Sequence, residues 1–180
     1  MEALNCIKNR RSIRRYQDKL VDNKTIEKVI STAAFAPSWK NSQTTRYIAV
    51  TDKTLKEKIA KEGMMGFEYN IKTALNAPVI IVVTTVNCRS GYERDGSFTT
   101  SKGTHWQSFD AGIATQTLCL SAFEEGLGTV IMGIFDEQKV AEILKVPEGQ
   151  SVSALVALGY ADEEPEAPKR KAVEDLLTIK

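Results

Sequence analysis

Apolar positions in this chain recur at helical spacing in some stretches and run continuously in others, with polar, glycine or proline breaks between them. Residues 2–9 read as a short helix that delivers a basic cluster. Asp22 reads as the N-cap of a second helix over about 24–35, closed at Ala36-Pro37-Ser38 because a residue before proline avoids helical geometry. Residues 46–51 read as a strand. Asp52 or Thr54 then caps a helix to about Lys61, Gly63 breaks it, and 67–76 is helical again. Val79 to Thr85 is an almost purely β-branched run, the composition of a strand buried on both faces. Residues 87–103 are polar with three glycines and read as a loop. The longest helix spans about 106–125, a strand spans 129–132, Asp136 caps a helix to Leu144, and a last apolar strand spans 151–160. The final twenty residues are polar, with Leu176-Leu177 as their anchor, and read as an arm over another surface. Helices alternating with about four strands predict a sheet layered with helices.

The length of 180 residues fits a single domain, 1–180, and 42% apolar residues suffice for a sizeable core. A formal net charge of +1 disfavours nucleic acid and membrane surfaces as partners of the whole surface. The basic charge is local: six Lys or Arg lie between Lys8 and Lys19 against one acid, Asp18. The basic clusters also lack the interleaved aromatics of a nucleic-acid interface. Three cysteines, Cys6, Cys88 and Cys119, fit neither a disulfide scaffold nor a zinc site, so a cytoplasmic setting is expected and no metal is. The N-terminus lacks a signal-peptide pattern, and the longest apolar run is strand-sized.

Two basic clusters stand at the ends: Arg10, Arg11, Ser12, Arg14 and Arg15, and then Lys169, Arg170 and Lys171. Guanidinium forks with a nearby hydroxyl suit a phosphate; on composition alone a solvated basic helix end is the commoner explanation of the first cluster. Pro37, Ser38, Trp39, Asn41 and Gln43 form a polar stretch between a helix and a strand, either a pocket wall or a turn. Gly133 follows a strand directly, where it admits close backbone approach to a ligand or simply makes a turn. His105, the only histidine, has no evident partner, and the cysteines read as packing residues. Gly112 sits mid-helix, at a cost of about 1 kcal/mol relative to alanine, which predicts close packing of that face against another element.

Taken in order, the motifs resemble one family. Arg10 to Tyr16, Ala36-Pro37-Ser38 with Asn41 and Gln43, Asn76-Ala77-Pro78, Asp110 to Ala114, Gly126 to Thr129, Met132 to Asp136, Ala157 to Tyr160 and Lys169 to Lys171 are similar to the motif series of the nitroreductase family. The resemblance implies an α+β, three-layer fold with a mostly antiparallel central sheet flanked by helices. It also implies a homodimer with an exchanged C-terminal arm and an FMN at each subunit interface. Arg10, Arg11, Ser12 and Arg14 would hold the phosphate, ribityl chain and pyrimidine edge, and Lys169 and Arg170 the phosphate. Pro37, Ser38 and Trp39 would reach the flavin from the other subunit, Met132 and Gly133 would lie against its ring, and Asn70 or Lys72 would meet the pyrimidine side.

The implied activity is transfer of a hydride from NADH or NADPH, by way of flavin N5, to a nitroaromatic, quinone or enone in ping-pong order, with no catalytic side chain. Alternatives are a flavin storage, sensing or electron-transfer protein, or a branch such as a reductive dehalogenase or flavin-destroying enzyme. The chain departs from the family pattern at Thr44, Ile134 and Lys171-Ala172, where relatives carry proline, glycine and proline.

Overall fold

The computed structural model describes residues 2–180. Its elements, in order, are α1 (Ala3–Asn9), α2 (Asn23–Ala33), a 3-10 turn (Trp39–Asn41), β1 (Thr45–Val50), α3 (Lys53–Lys58), a π turn (Ile59–Gly63) and α4 (Glu68–Asn76). Then come β2 (Val79–Val86), α5 (His105–Glu124), β3 (Gly128–Met132), α6 (Glu137–Leu144), β4 (Gln150–Gly159) and a final 3-10 turn (Val173–Asp175). The strands form one sheet in the order β1-β2-β4-β3, every neighbouring pair antiparallel. This is the expected α+β architecture.

β2 lies at the centre, and its side chains divide the core in two. Val79, Ile81 and Val83 face α2 and α5 with Val29, Leu118, Cys119 and Leu158. Ile80 and Val82 face the other way, onto Ile59, Met64, Val140 and Leu155. Alternation along a strand produces this split, so an unbroken apolar run is the pattern of a middle layer. Burying each of these side chains contributes about 1.5–3 kcal/mol.

Three aspartates start three of the helices. Asp22, Asp52 and Asp136 each accept from a backbone N–H three residues on, at 3.0, 2.8 and 2.9 Å, which satisfies donors the helix cannot. The helix after Asp52 ends earlier than predicted and widens into the π turn. That wider turn keeps Ile59, Ala60, Gly63 and Met64 all buried. Gly63 packs so closely on α6 that an added Cβ would stand 2.8 Å from Val140 Cγ2. The 87–103 region is more ordered than a plain loop: Tyr92 and Phe98 pair across a small hairpin with rings 4.9 Å apart. A Cβ added at Gly112 would meet nothing within 4 Å beyond its own helix backbone, so the close packing expected of that face is not made within the chain. Among the described residues, no helix is long and apolar enough to cross a membrane.

Candidate functional site

Residues 10–16 leave α1 as an extended segment and dock along the outer edge of β3. Ser12 bridges Thr129 in parallel fashion, and the Ile13 N–H donates to the Thr129 carbonyl at 2.9 Å. A Cβ at position 128 would stand 2.6 Å from Ile13 Cγ1, so Gly128 is what lets the segment approach. Tyr16 is the buried anchor. Its hydroxyl lies 2.5 Å from the Ile13 carbonyl and 3.2 Å from that of Ala157, and its N–H donates to Asn76 Oδ1 at 2.7 Å. Burial pushes the Tyr16 phenol far above its ordinary range, which keeps it a neutral donor. Glu163, beyond β4, accepts from the N–H groups of Arg14 and Arg15 at 2.5 and 3.1 Å and from Arg15 Nε at 3.2 Å. Burial raises the Glu163 carboxyl, but those donors outweigh it and hold the group below the usual carboxylate range.

This anchoring brings the two ends of the sequence together. Arg10, Arg11, Ser12 and Arg14 line one cavity of about 250 Å³ with Pro165, Glu166, Pro168 and Arg170. Two of the guanidiniums are held by backbone carbonyls. Arg11 Nη1 donates to Lys8 O and Arg10 O at 2.7 and 3.0 Å, and Arg170 Nη1 donates to Pro168 O at 2.9 Å. Among the described residues, none of these four arginines forms an ion pair. Four cations around one small cavity, against the single carboxylate of Glu166, are a donor set that fits a phosphate group. Lys169 is exposed and does not line the cavity.

β3 leads from this cradle to a second cluster. Gly133 lies four positions beyond Thr129, which is beside Ser12, roughly 13 Å of extended chain. Met132 turns its side chain into the core, so only its backbone borders the surface, while Gly133 is exposed. Asn70 Nδ2 on α4 donates to the Ile134 carbonyl at 3.1 Å and so ties α4 to this turn. Lys72 is elsewhere on α4, in an exposed pair with Glu68 at 3.3 Å. Met65, Phe67, Tyr69 and Ile134 leave an exposed apolar rim around Asn70.

Pro37, Ser38 and Trp39 do not join the basic cavity. Pro37 and Ser38 line a separate one, of about 380 Å³, between α2, β1 and α5. Buried Asp110 organises this region: its Oδ2 accepts from the Trp39 N–H at 2.9 Å and from the Ser90 hydroxyl at 2.7 Å. Ser38 Oγ accepts from the Gln43 N–H at 2.9 Å. Lys40, Asn41 and Gln43 all adopt left-handed backbone, with φ of 46°, 53° and 46°. Non-glycine residues occupy that region at a cost, so the surrounding bonds over-determine the loop. Trp39 stacks at a tilt on Trp106, ring centres 4.7 Å apart, and Trp106 meets Phe109 edge-on at 5.5 Å. His105 is exposed at the start of α5. Burial pushes the thiols of Cys6 and Cys119 up, which makes them poor nucleophiles.

Sequence reasoning missed Glu163, Asn76 and Asp110 as the groups that hold these segments. Asn76 and Asp110 stood inside recognisable motifs, but nothing in their spacing pointed to their distant partners.

An antiparallel sheet between two helical layers, with an arginine cradle along one edge strand, defines an α+β protein suited to a phosphate-bearing ligand. The sequence profile of the Nitroreductase family matches residues 7–160, and the chain belongs to that family. A protein of Methanothermobacter thermautotrophicus named "Putative NADH dehydrogenase/NAD(P)H nitroreductase" is 31% identical over 169 residues, 92% of this chain and 80% of the relative. The crystal structure of a nitroreductase family protein from Clostridium novyi NT superposes with a TM-score of 0.78 at 32% identity, covering 93% of this chain and 89% of that one. An FMN-dependent nitroreductase from Clostridium difficile R20291 superposes with a TM-score of 0.74 at 29% identity, covering 92% and 91%.

Proposed function

We propose that this chain is an FMN-dependent NAD(P)H oxidoreductase acting on a small oxidant such as a nitroaromatic, quinone or enone. The observation that carries the reading is the cradle of Arg10, Arg11, Ser12, Arg14 and Arg170, four cations against the single carboxylate of Glu166 in one cavity wall. FMN-dependence of a 29% identical structural relative supports the same cofactor here. Bound FMN would supply the two-electron chemistry, taking hydride from NADH or NADPH and passing it to the oxidant.

The chain's own residues would bind and orient. Arg10, Arg11, Arg14 and Arg170 would hold the phosphate, with the Ser12 hydroxyl as a further donor. Lys169 would add charge from outside the cavity wall. Asn70 borders the Gly133 turn and is the better candidate for the ring end than Lys72, which is engaged with Glu68. Gly133 offers exposed backbone there, and the Met132 backbone precedes it. The positive field of the cradle would favour negative charge developing on a ligand beside it.

A homodimer is part of this proposal. The exposed face of α5 carries Phe109, Gly112, Ile113 and Gln116 around a shallow groove. The C-terminal segment exposes Val173, Leu176, Leu177 and Ile179. Apolar surface of this extent marks an association site, and a two-fold contact would bring the partner's loop with Pro37, Ser38 and Trp39 toward the cradle.

The test is flavin retention. Replacing Arg10 and Arg170 together by alanine is expected to lower FMN affinity at least about a hundredfold, from two lost charge-assisted contacts. Equilibrium titration by fluorescence quenching reads this; unchanged affinity would refute the cradle as the phosphate site.

A further inference from the structure

We propose that Glu166 sets how strongly the cradle discriminates a phosphate-bearing flavin from one without phosphate. The inference rests on the FMN reading above. Glu166 lines the same cavity as the four arginines, on the wall between Pro165 and Pro168. It forms no ion pair or hydrogen bond with any described residue. Its neighbour in the acidic stretch, Glu163, is consumed by the backbone of Arg14 and Arg15 and by the Arg15 side chain. Glu163 therefore builds the segment, whereas Glu166 contributes charge to the cavity wall.

A carboxylate facing a phosphate site opposes the arginines. A phosphate monoester carries nearly two negative charges at neutral pH, so Glu166 penalises FMN and leaves an uncharged ribityl end almost untouched. The wall as built thus holds FMN less tightly than its arginines alone would. At the effective dielectric of a partly exposed site, one charge within several ångströms of a dianion changes affinity by about tenfold at low salt. Because Glu166 is exposed, the effect shrinks as salt screens it.

The experiment titrates the flavin-free protein with FMN and, separately, with riboflavin, at low and high salt, for wild type, Glu166→Gln and Glu166→Asp. Glu166→Gln is expected to bind FMN about tenfold more tightly at low salt, with riboflavin affinity unchanged and the FMN gain reduced at high salt. Glu166→Asp, which keeps the charge, is expected to preserve the wild-type ratio of FMN to riboflavin affinity. An unchanged ratio in Glu166→Gln, or equal gains for both flavins, overturns the role of Glu166 while leaving the cofactor assignment intact. Binding of neither flavin by the wild-type chain overturns the cofactor assignment and this inference with it.

Discussion

Asp110 offers the sharpest test of how the Trp39 loop is held. Its Oδ2 takes two hydrogen bonds, from the Trp39 N–H at 2.9 Å and the Ser90 hydroxyl at 2.7 Å, in a buried setting. Asp110→Ala removes the acceptor and leaves both donors without a partner. A hydrogen bond to a charged group contributes about 1.5–3 kcal/mol. Because the two bonds share one oxygen they do not add fully, and a loss of roughly 3–4 kcal/mol is expected. For a chain of this size that lowers Tm by roughly 6–16 °C. Asp110→Asn keeps an acceptor oxygen without the charge and should lose about half as much. Ser90→Ala removes a donor only and should cost about 1 kcal/mol. Urea denaturation gives the free energies. Tryptophan emission gives the location, since the only two tryptophans, Trp39 and Trp106, stack on each other in this region. A loss below about 1 kcal/mol for Asp110→Ala, with unchanged emission, would refute the clamp.

The Glu163 carboxyl is held below its ordinary value, so its contribution is complete above the unfolded value of about 4.3 and is lost as pH falls through the folded one. The stability difference between wild type and Glu163→Gln should therefore shrink as pH falls below about 4.3, read by urea denaturation; a pH-independent difference would contradict the anchor. Gly128→Ala would drive a methyl group against Ile13, whose N–H is bonded to the Thr129 carbonyl. It should cost about 1–3 kcal/mol and weaken FMN binding through displacement of residues 10–14. Calorimetry and flavin titration check the two effects.

Much of the fold was legible because its determinants are local. The β-branched run of β2, the aspartate caps and the proline after α2 act within a few residues of themselves. The basic cavity was legible in part: Arg10, Arg11, Ser12, Arg14 and Arg170 converge, but their meeting depends on Tyr16, Asn76 and Glu163. These act through side chain to backbone bonds across 60 to 149 positions, which leave no period in the sequence. Met132 reads as a ligand neighbour from its place beside Gly133, yet strand alternation sends its side chain into the core. The exposed pairing of Lys72 with its i,i+4 neighbour Glu68, and the bond from Asn70 to the Ile134 carbonyl, carried no pattern in the sequence. The left-handed backbone at Lys40, Asn41 and Gln43 had no signal, since none is glycine.

The central claim is that the chain carries FMN as a redox cofactor for NAD(P)H. The most direct measurement is the visible absorption spectrum of the purified protein, reconstituted with FMN if necessary, before and after anaerobic addition of NADH or NADPH. A bound-flavin spectrum that bleaches with at least one of the two donors and recovers on addition of a quinone is expected. A bound flavin that neither donor bleaches would contradict the oxidoreductase reading, and failure to bind FMN at all would contradict the cradle.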